Sequence, residues 1–136
     1  MPIRILSFGF DIKHWYPEYE IPEADLTLDC RHIFNPEKTE LFGREHTGLE
    51  QEVRDFVLEF PESEELLDEA IKTVKRLDTD TISYLASRLT YTIAFGCMWG
   101  KHRSVSLAIV LGERLKEMGY DVEVNHISIE GGWIKV

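Results

Sequence analysis

Apolar positions fall in short runs separated by amphipathic stretches, and each run predicts an element. RILSFGF (Arg4–Phe10) is a compact apolar run that predicts a buried strand. A second strand is expected near Asp25–Arg31 in ADLTLDCRHIF, closed by the turn pair Asn35-Pro36. After Thr47-Gly48, Leu49, Val53, Phe56 and Val57 share one helical face. Beyond Pro61, Leu66, Leu67, Ile71, Val74 and Leu77 keep helical spacing, with Ser63 as the expected N-cap. Acids crowd the first turn there, and Lys72, Lys75 and Arg76 sit near the end, matching the helix dipole. A shorter helix is expected over Thr81–Leu89, capped by Asp80 or Thr79. TYTIAFG (Thr90–Gly96) is β-branched, aromatic and uncharged, which predicts a central strand. VSLAIVLGERLKEMGY predicts a helix ending at Gly119, and VEVNHIS (Val122–Ser128) a last strand before a glycine-rich tail. His14–Pro22, with two prolines, reads as an arm, and Thr39–Thr47, with Gly43, as a mobile loop. The order of elements predicts a single-domain α/β sandwich over residues 1–136, with a largely parallel sheet.

Composition narrows the class. The chain has 136 residues, 43% hydrophobic and 29% charged, enough to bury a core without staples. Cys30 and Cys97 are too few for a disulfide scaffold and read as reduced thiols. The N-terminus lacks the pattern of a signal peptide, and no run approaches the about 20 apolar residues of a membrane span. A cytoplasmic, soluble protein is expected, without membrane contact. The net charge of −10 disfavours nucleic acid as a partner of the whole chain while leaving room for a local basic pocket. His14, His32 and His46 show no zinc-ligand spacing, so neither a metal nor a cofactor is expected.

Candidate chemistry concentrates in GCMWGKHRS, Gly96–Ser104, between the apolar strand and the helix that follows it. A loop at the carboxyl end of a strand and the amino end of a helix is where α/β sheets bind ligands and where anions are favoured. Gly96 and Gly100 allow close backbone approach. Arg103 can offer a planar fork to phosphate, Lys101 a point charge, and Ser104 a hydrogen bond to the ligand or to Cys97. An arginine at a helix start opposes the dipole, and a bound anion would answer that. Trp99 can stack on a base or sugar, or pack into the core or an interface.

The pattern C-x2-G-x2-R-S is similar to the signature loop of protein tyrosine phosphatases, where a thiolate attacks phosphorus and the arginine clamps the phosphate. Cys97 is the catalytic residue on that reading. Gly96 stands where that signature has histidine, and no tryptophan-proline-aspartate-like loop is present to supply a general acid. The other reading of Cys97 is a structural thiol at a strand end.

A broader match covers nearly the whole chain. SFGF, LDCRHIFNP, HTGLEQEV, GCMWGKHRSV and the late NHI stand in the order of the landmarks of the RapZ C-terminal domain, of the RNase adapter family, which the sequence resembles. The resemblance implies an α/β domain with a pocket for phosphorylated small molecules, amino-sugar phosphates among them. It also implies RNA binding and self-association. On the family pattern, Asp29 and Arg31 match its D-x-R strand and Asn35-Pro36 its turn. Thr47 and Gly48 match its TG, and His126 a histidine near the end. Cys97, Gly100, Lys101, His102, Arg103 and Ser104 match its phosphate loop. Met98 and Trp99 stand where the family has Thr-Gly, and Glu37 where it has histidine. The family's N-terminal P-loop domain is not expected here.

Three functions follow as expectations: a non-catalytic sensor, regulatory or sequestering domain for a sugar phosphate or nucleotide; an RNA-binding regulatory adapter; and a cysteine-dependent phosphatase. A homo-oligomer is expected by resemblance, with Trp15, Tyr16 and Tyr19 at its interface.

Overall fold

The computed structural model describes residues 1–39, 42, 45–79 and 89–134. Strands β1 (Ile3–Gly9), β2 (Leu26–Asp29), β3 (Tyr91–Cys97) and β4 (Val122–His126) form one sheet in the order β2-β3-β1-β4. Every pairing is parallel: Ile3 lies beside Tyr91 and Val122, and Leu26 beside Ile93. Parallel strands need crossovers, and the helices supply them. They are α1 (Ile12–Trp15), α2 (Gln51–Leu58), α3 (Pro61–Thr79), α4 (Arg103–Glu117) and α5 (Ile127–Glu130). A short 3-10 turn, Pro36–Lys38, is capped by the Asn35 side chain, which accepts from the Glu37 amide.

The two-residue period divides the core. Ile3, Ile5, Leu28, Ile93 and Phe95 face a large cluster with Val53, Val57, Leu67 and Val74 of α2 and α3 and Leu107, Leu111 and Leu115 of α4. Leu6, Phe8 and Ala94 face the opposite way, against Phe10, Ala24 and Ile127. Helices thus cover one face of the sheet, and the arm after β1 with the segment after β4 covers the other.

Several expectations shift. The arm starts with a helical turn, α1, before the prolines stop it. Ser63 is not a cap: α3 begins at Pro61, where a missing N–H costs nothing, and the Ser63 hydroxyl donates to the Val57 carbonyl at 2.7 Å. Tyr19 is buried beside Trp133, so the arm exposes Trp15 and Tyr16 but not Tyr19. The last strand stops at His126, and α5 takes up the next residues. The helix expected at Thr81–Leu89, all but Leu89, and part of the Thr39–Thr47 loop lie outside the described residues. Among the described residues, no helix is long and apolar enough to cross a membrane.

Candidate functional site

Because all four strands run the same way, their last residues share one edge: Gly9, Asp29, Cys97 and His126. The loop from Met98 to His102 leaves that edge and enters α4, whose first helical residue is Arg103. Gly100 makes the turn at φ +72°, and a Cβ there would meet the Phe8 carbonyl carbon at 2.6 Å and the Gly9 nitrogen at 2.7 Å.

The loop is held by its carbonyls. The Phe10 amide donates to Cys97 O at 2.8 Å, Asp11 to Met98 O at 3.0 Å and Gly48 to Lys101 O at 2.9 Å. His102 O accepts from the Ser106 amide at 3.0 Å and from the Ser106 hydroxyl at 2.7 Å. In a planar trans peptide the N–H points opposite to the C=O. The amides of Met98, Trp99, His102 and Arg103 are therefore turned away from those donors. Together with the amino end of α4, this arrangement suits an anion. Gly48 is needed for the fit, since a Cβ there would meet His102 O and the Ser106 amide, both at 2.6 Å.

Arg103 is 4% exposed. One terminal nitrogen donates to the carbonyls of Arg31 at 2.9 Å and Ile33 at 3.0 Å, while its Nε is buried without a partner. Among the described residues no carboxylate pairs with Arg103 or with the half-buried Lys101. Two cations thus lie beside a helix amino end, one of them buried. Cys97 packs into the helix-side core, with Sγ 3.1 Å from the Ser104 hydroxyl. His102 is buried, Met98 exposed and Trp99 half-buried.

Around the loop, the other residues singled out in the sequence gather at the same edge. The Arg31 side chain turns outward, paired with Asp29 at 2.8 Å and Asp11 at 3.3 Å, over the face of Phe10. The Arg31 guanidinium holds the Asp29 carboxyl below its usual pKa. Thr47 is buried: its hydroxyl accepts from the Leu49 amide at 3.1 Å, and its amide donates to Glu50 Oε2 at 2.9 Å. Glu50 also meets His46 Nδ1 at 2.9 Å, which raises the His46 pKa. His126 Nδ1 lies 2.6 Å from the Ser7 hydroxyl, and burial pushes its pKa down.

Four neighbours were not singled out from the sequence. Asp11, Ser7, Glu50 and Ser106 support Arg31, His126, Thr47 and the loop in turn. Ser106, two residues beyond the loop, carried the one local signal, as a small polar residue on a buried helix face. Ser7 is visible only once the register sets it beside His126.

The family model for the RapZ C-terminal domain matches residues 1–130. Relatives named nucleotide-binding protein include one from Agathobacter rectalis, 37% identical, covering 93% of this chain and 41% of the relative. One from Acidiphilium cryptum is 36% identical, covering 95% and 40%. One from Frankia casuarinae is 38% identical, covering 90% and 39%. The chain spans about two-fifths of the length of these curated relatives.

Proposed function

Because the chain belongs to the RapZ C-terminal domain family, we propose that it binds a phosphorylated small molecule, a nucleotide or sugar phosphate, and holds it without transforming it. The buried Arg103 carries the reading: a cation 4% exposed, at a helix amino end, with no carboxylate partner among the described residues. A phosphate on the loop Gly96–Ser104 would neutralise it together with Lys101. Asp29, Arg31, Thr47, Gly48 and His126 would read the rest of the ligand, and Met98-Trp99 offer an apolar flank. The names of the relatives favour a nucleotide, though they describe proteins more than twice as long. Cys97 serves as a packed sulfur on this reading, since it is 2% exposed and a member of the core. A sensor, regulatory or sequestering role suits such a domain, as does self-association through Trp15 and Tyr16.

Calorimetry with nucleoside mono-, di- and triphosphates and with sugar phosphates tests the reading. One class should bind, and Lys101→Ala should weaken it about tenfold, the loss of one charge-assisted contact. The unfolding midpoint should change little, because Lys101 lies outside the buried hydrophobic core. If nothing phosphorylated binds, or Lys101→Ala binds as tightly as the wild type, the reading is wrong. Turnover of p-nitrophenyl phosphate that disappears in Cys97→Ser would instead favour the phosphatase.

A further inference from the structure

Cys30 and Cys97 lie across from one another where β2 and β3 end. Asp29 pairs in register with Gly96, and the Cys30 amide donates to the Gly96 carbonyl at 2.7 Å. That bond completes the last pair of the ladder, and the same register continued by one residue sets Cys30 opposite Cys97. Neighbouring strands lie about 4.8 Å apart. A disulfide spans Cα separations of about 4.4–6.8 Å. Leu28 and Phe95, paired two residues earlier, both face the helix-side core. By the same alternation Cys30 and Cys97 share that face, and both belong to that core as free thiols. The proposed ligand site makes no use of Cys30.

We propose that this pair is a modification site: an oxidisable dithiol that closes into a Cys30–Cys97 disulfide beneath the loop, with a hydroperoxide as oxidant. The oxidant must be small, since Cys97 is 2% exposed and Cys30 fully buried. Cys97 reacts first, because it borders the loop and its sulfur faces the Ser104 hydroxyl at 3.1 Å. Its sulfur attacks one peroxide oxygen. An S–O bond forms, the O–O bond breaks, and the departing oxygen takes the thiol proton, leaving as water or alcohol. The Cys30 sulfur then attacks the sulfenic sulfur of Cys97. An S–S bond forms, the S–O bond breaks, and hydroxide leaves as water with the Cys30 proton. Two thiols give up two electrons, and the peroxide is reduced. Burial pushes the Cys30 pKa well up, with Cys97 adding to the shift, so Cys30 stays protonated until that second step.

The bond alters the loop above it. Turning the Cys97 sulfur toward Cys30 ends its contact with Ser104. It also ties down residue 30, next to the Arg31 and Ile33 carbonyls that hold Arg103. Anion affinity falls as a result; this consequence rests on the proposed function, whereas formation of the disulfide does not.

The test treats the whole chain with hydrogen peroxide, blocks remaining thiols with an alkylating agent and weighs the intact protein. The expected product takes no alkylating agent, yields a Cys30–Cys97 linked peptide and regains both thiols in dithiothreitol. In Cys30→Ser, Cys97 should stop at a sulfenic acid that dimedone traps. Two alkylated thiols after peroxide, or sulfinic acid at Cys97 with Cys30 still alkylated, would overturn the proposal. Inorganic phosphate, followed by nuclear magnetic resonance, should bind the oxidised form about tenfold more weakly. Equal affinity in both forms overturns the switch. Absence of phosphate binding in the reduced form counts against the ligand site alone, and the mass and peptide readouts still decide the disulfide.

Discussion

The two ends of the sheet differ in what they bury. At the amino end, Met1, Pro2, Asp78, Tyr120 and Asp121 help to line an open cleft of about 440 Å³. Its polar groups meet water, as in the exposed hydrogen bond from the Tyr120 hydroxyl to Asp78 at 3.1 Å. At the carboxyl end, Ser7, Thr47, His102, Arg103, Ser104, Ser106 and His126 are all buried. Taking such groups out of water costs free energy that packing alone does not return. A roomy cleft between helix and strand ends arises from ordinary geometry. Arg103, buried with no carboxylate partner among the described residues, is less ordinary, and it is the feature on which the proposed ligand site rests.

Paired glycine substitutions should break this comparison most visibly. Gly100 and Gly119 both have positive φ, +72° and +92°. An added Cβ at Gly100 meets backbone, whereas at Gly119 nothing lies within 4 Å. Gly100→Ala should cost about 3 kcal/mol, strain plus overpacking. Gly119→Ala should cost about 1 kcal/mol, strain alone. Urea denaturation of both variants checks the ratio, and equal losses would mean that the loop is not tightly seated. Next in size, Arg103→Met should destabilise by about 2 kcal/mol by leaving the Arg31 and Ile33 carbonyls unpaired. It should also abolish ligand binding, and a stable variant with intact affinity in calorimetry would remove Arg103 from the site.

The smallest effect is a pH dependence from His126. Burial lowers its folded-state pKa below the ordinary 6.5, so between the two values the unfolded chain binds more protons. The stability contributed by neutral His126 is full above pH 6.5 and drains away as pH falls through the folded pKa. His126→Gln should flatten that slope, read from denaturation midpoints across the acid range. An unchanged slope would place the titration elsewhere.

Much of the scaffold was legible because its signals are local. An uncharged β-branched run announced β3, and helical spacing announced α2, α3 and α4. The loop was legible for the same reason, since glycine, lysine and arginine lie within nine residues of one strand end. Ser63 misled because a serine near acids suits a cap, yet Pro61 starts the helix one turn earlier in its favoured position. Tyr19 misled because its neighbours Trp15 and Tyr16 are exposed, and nothing local says that Trp133 packs over it.

By itself, then, the sequence determined an α/β order of elements and a glycine-rich loop at a strand-to-helix junction, through periodicity and turn chemistry that act over a few residues. Only the tertiary structure decided what those residues meet. Arg103 reaches a carbonyl 72 residues away, and Ser7 meets His126 across 119. The same sheet register, continued one residue past the Asp29–Gly96 pair, sets Cys30 opposite Cys97. Such contacts depend on strand order and register, which the hydrophobic pattern of any one segment does not encode.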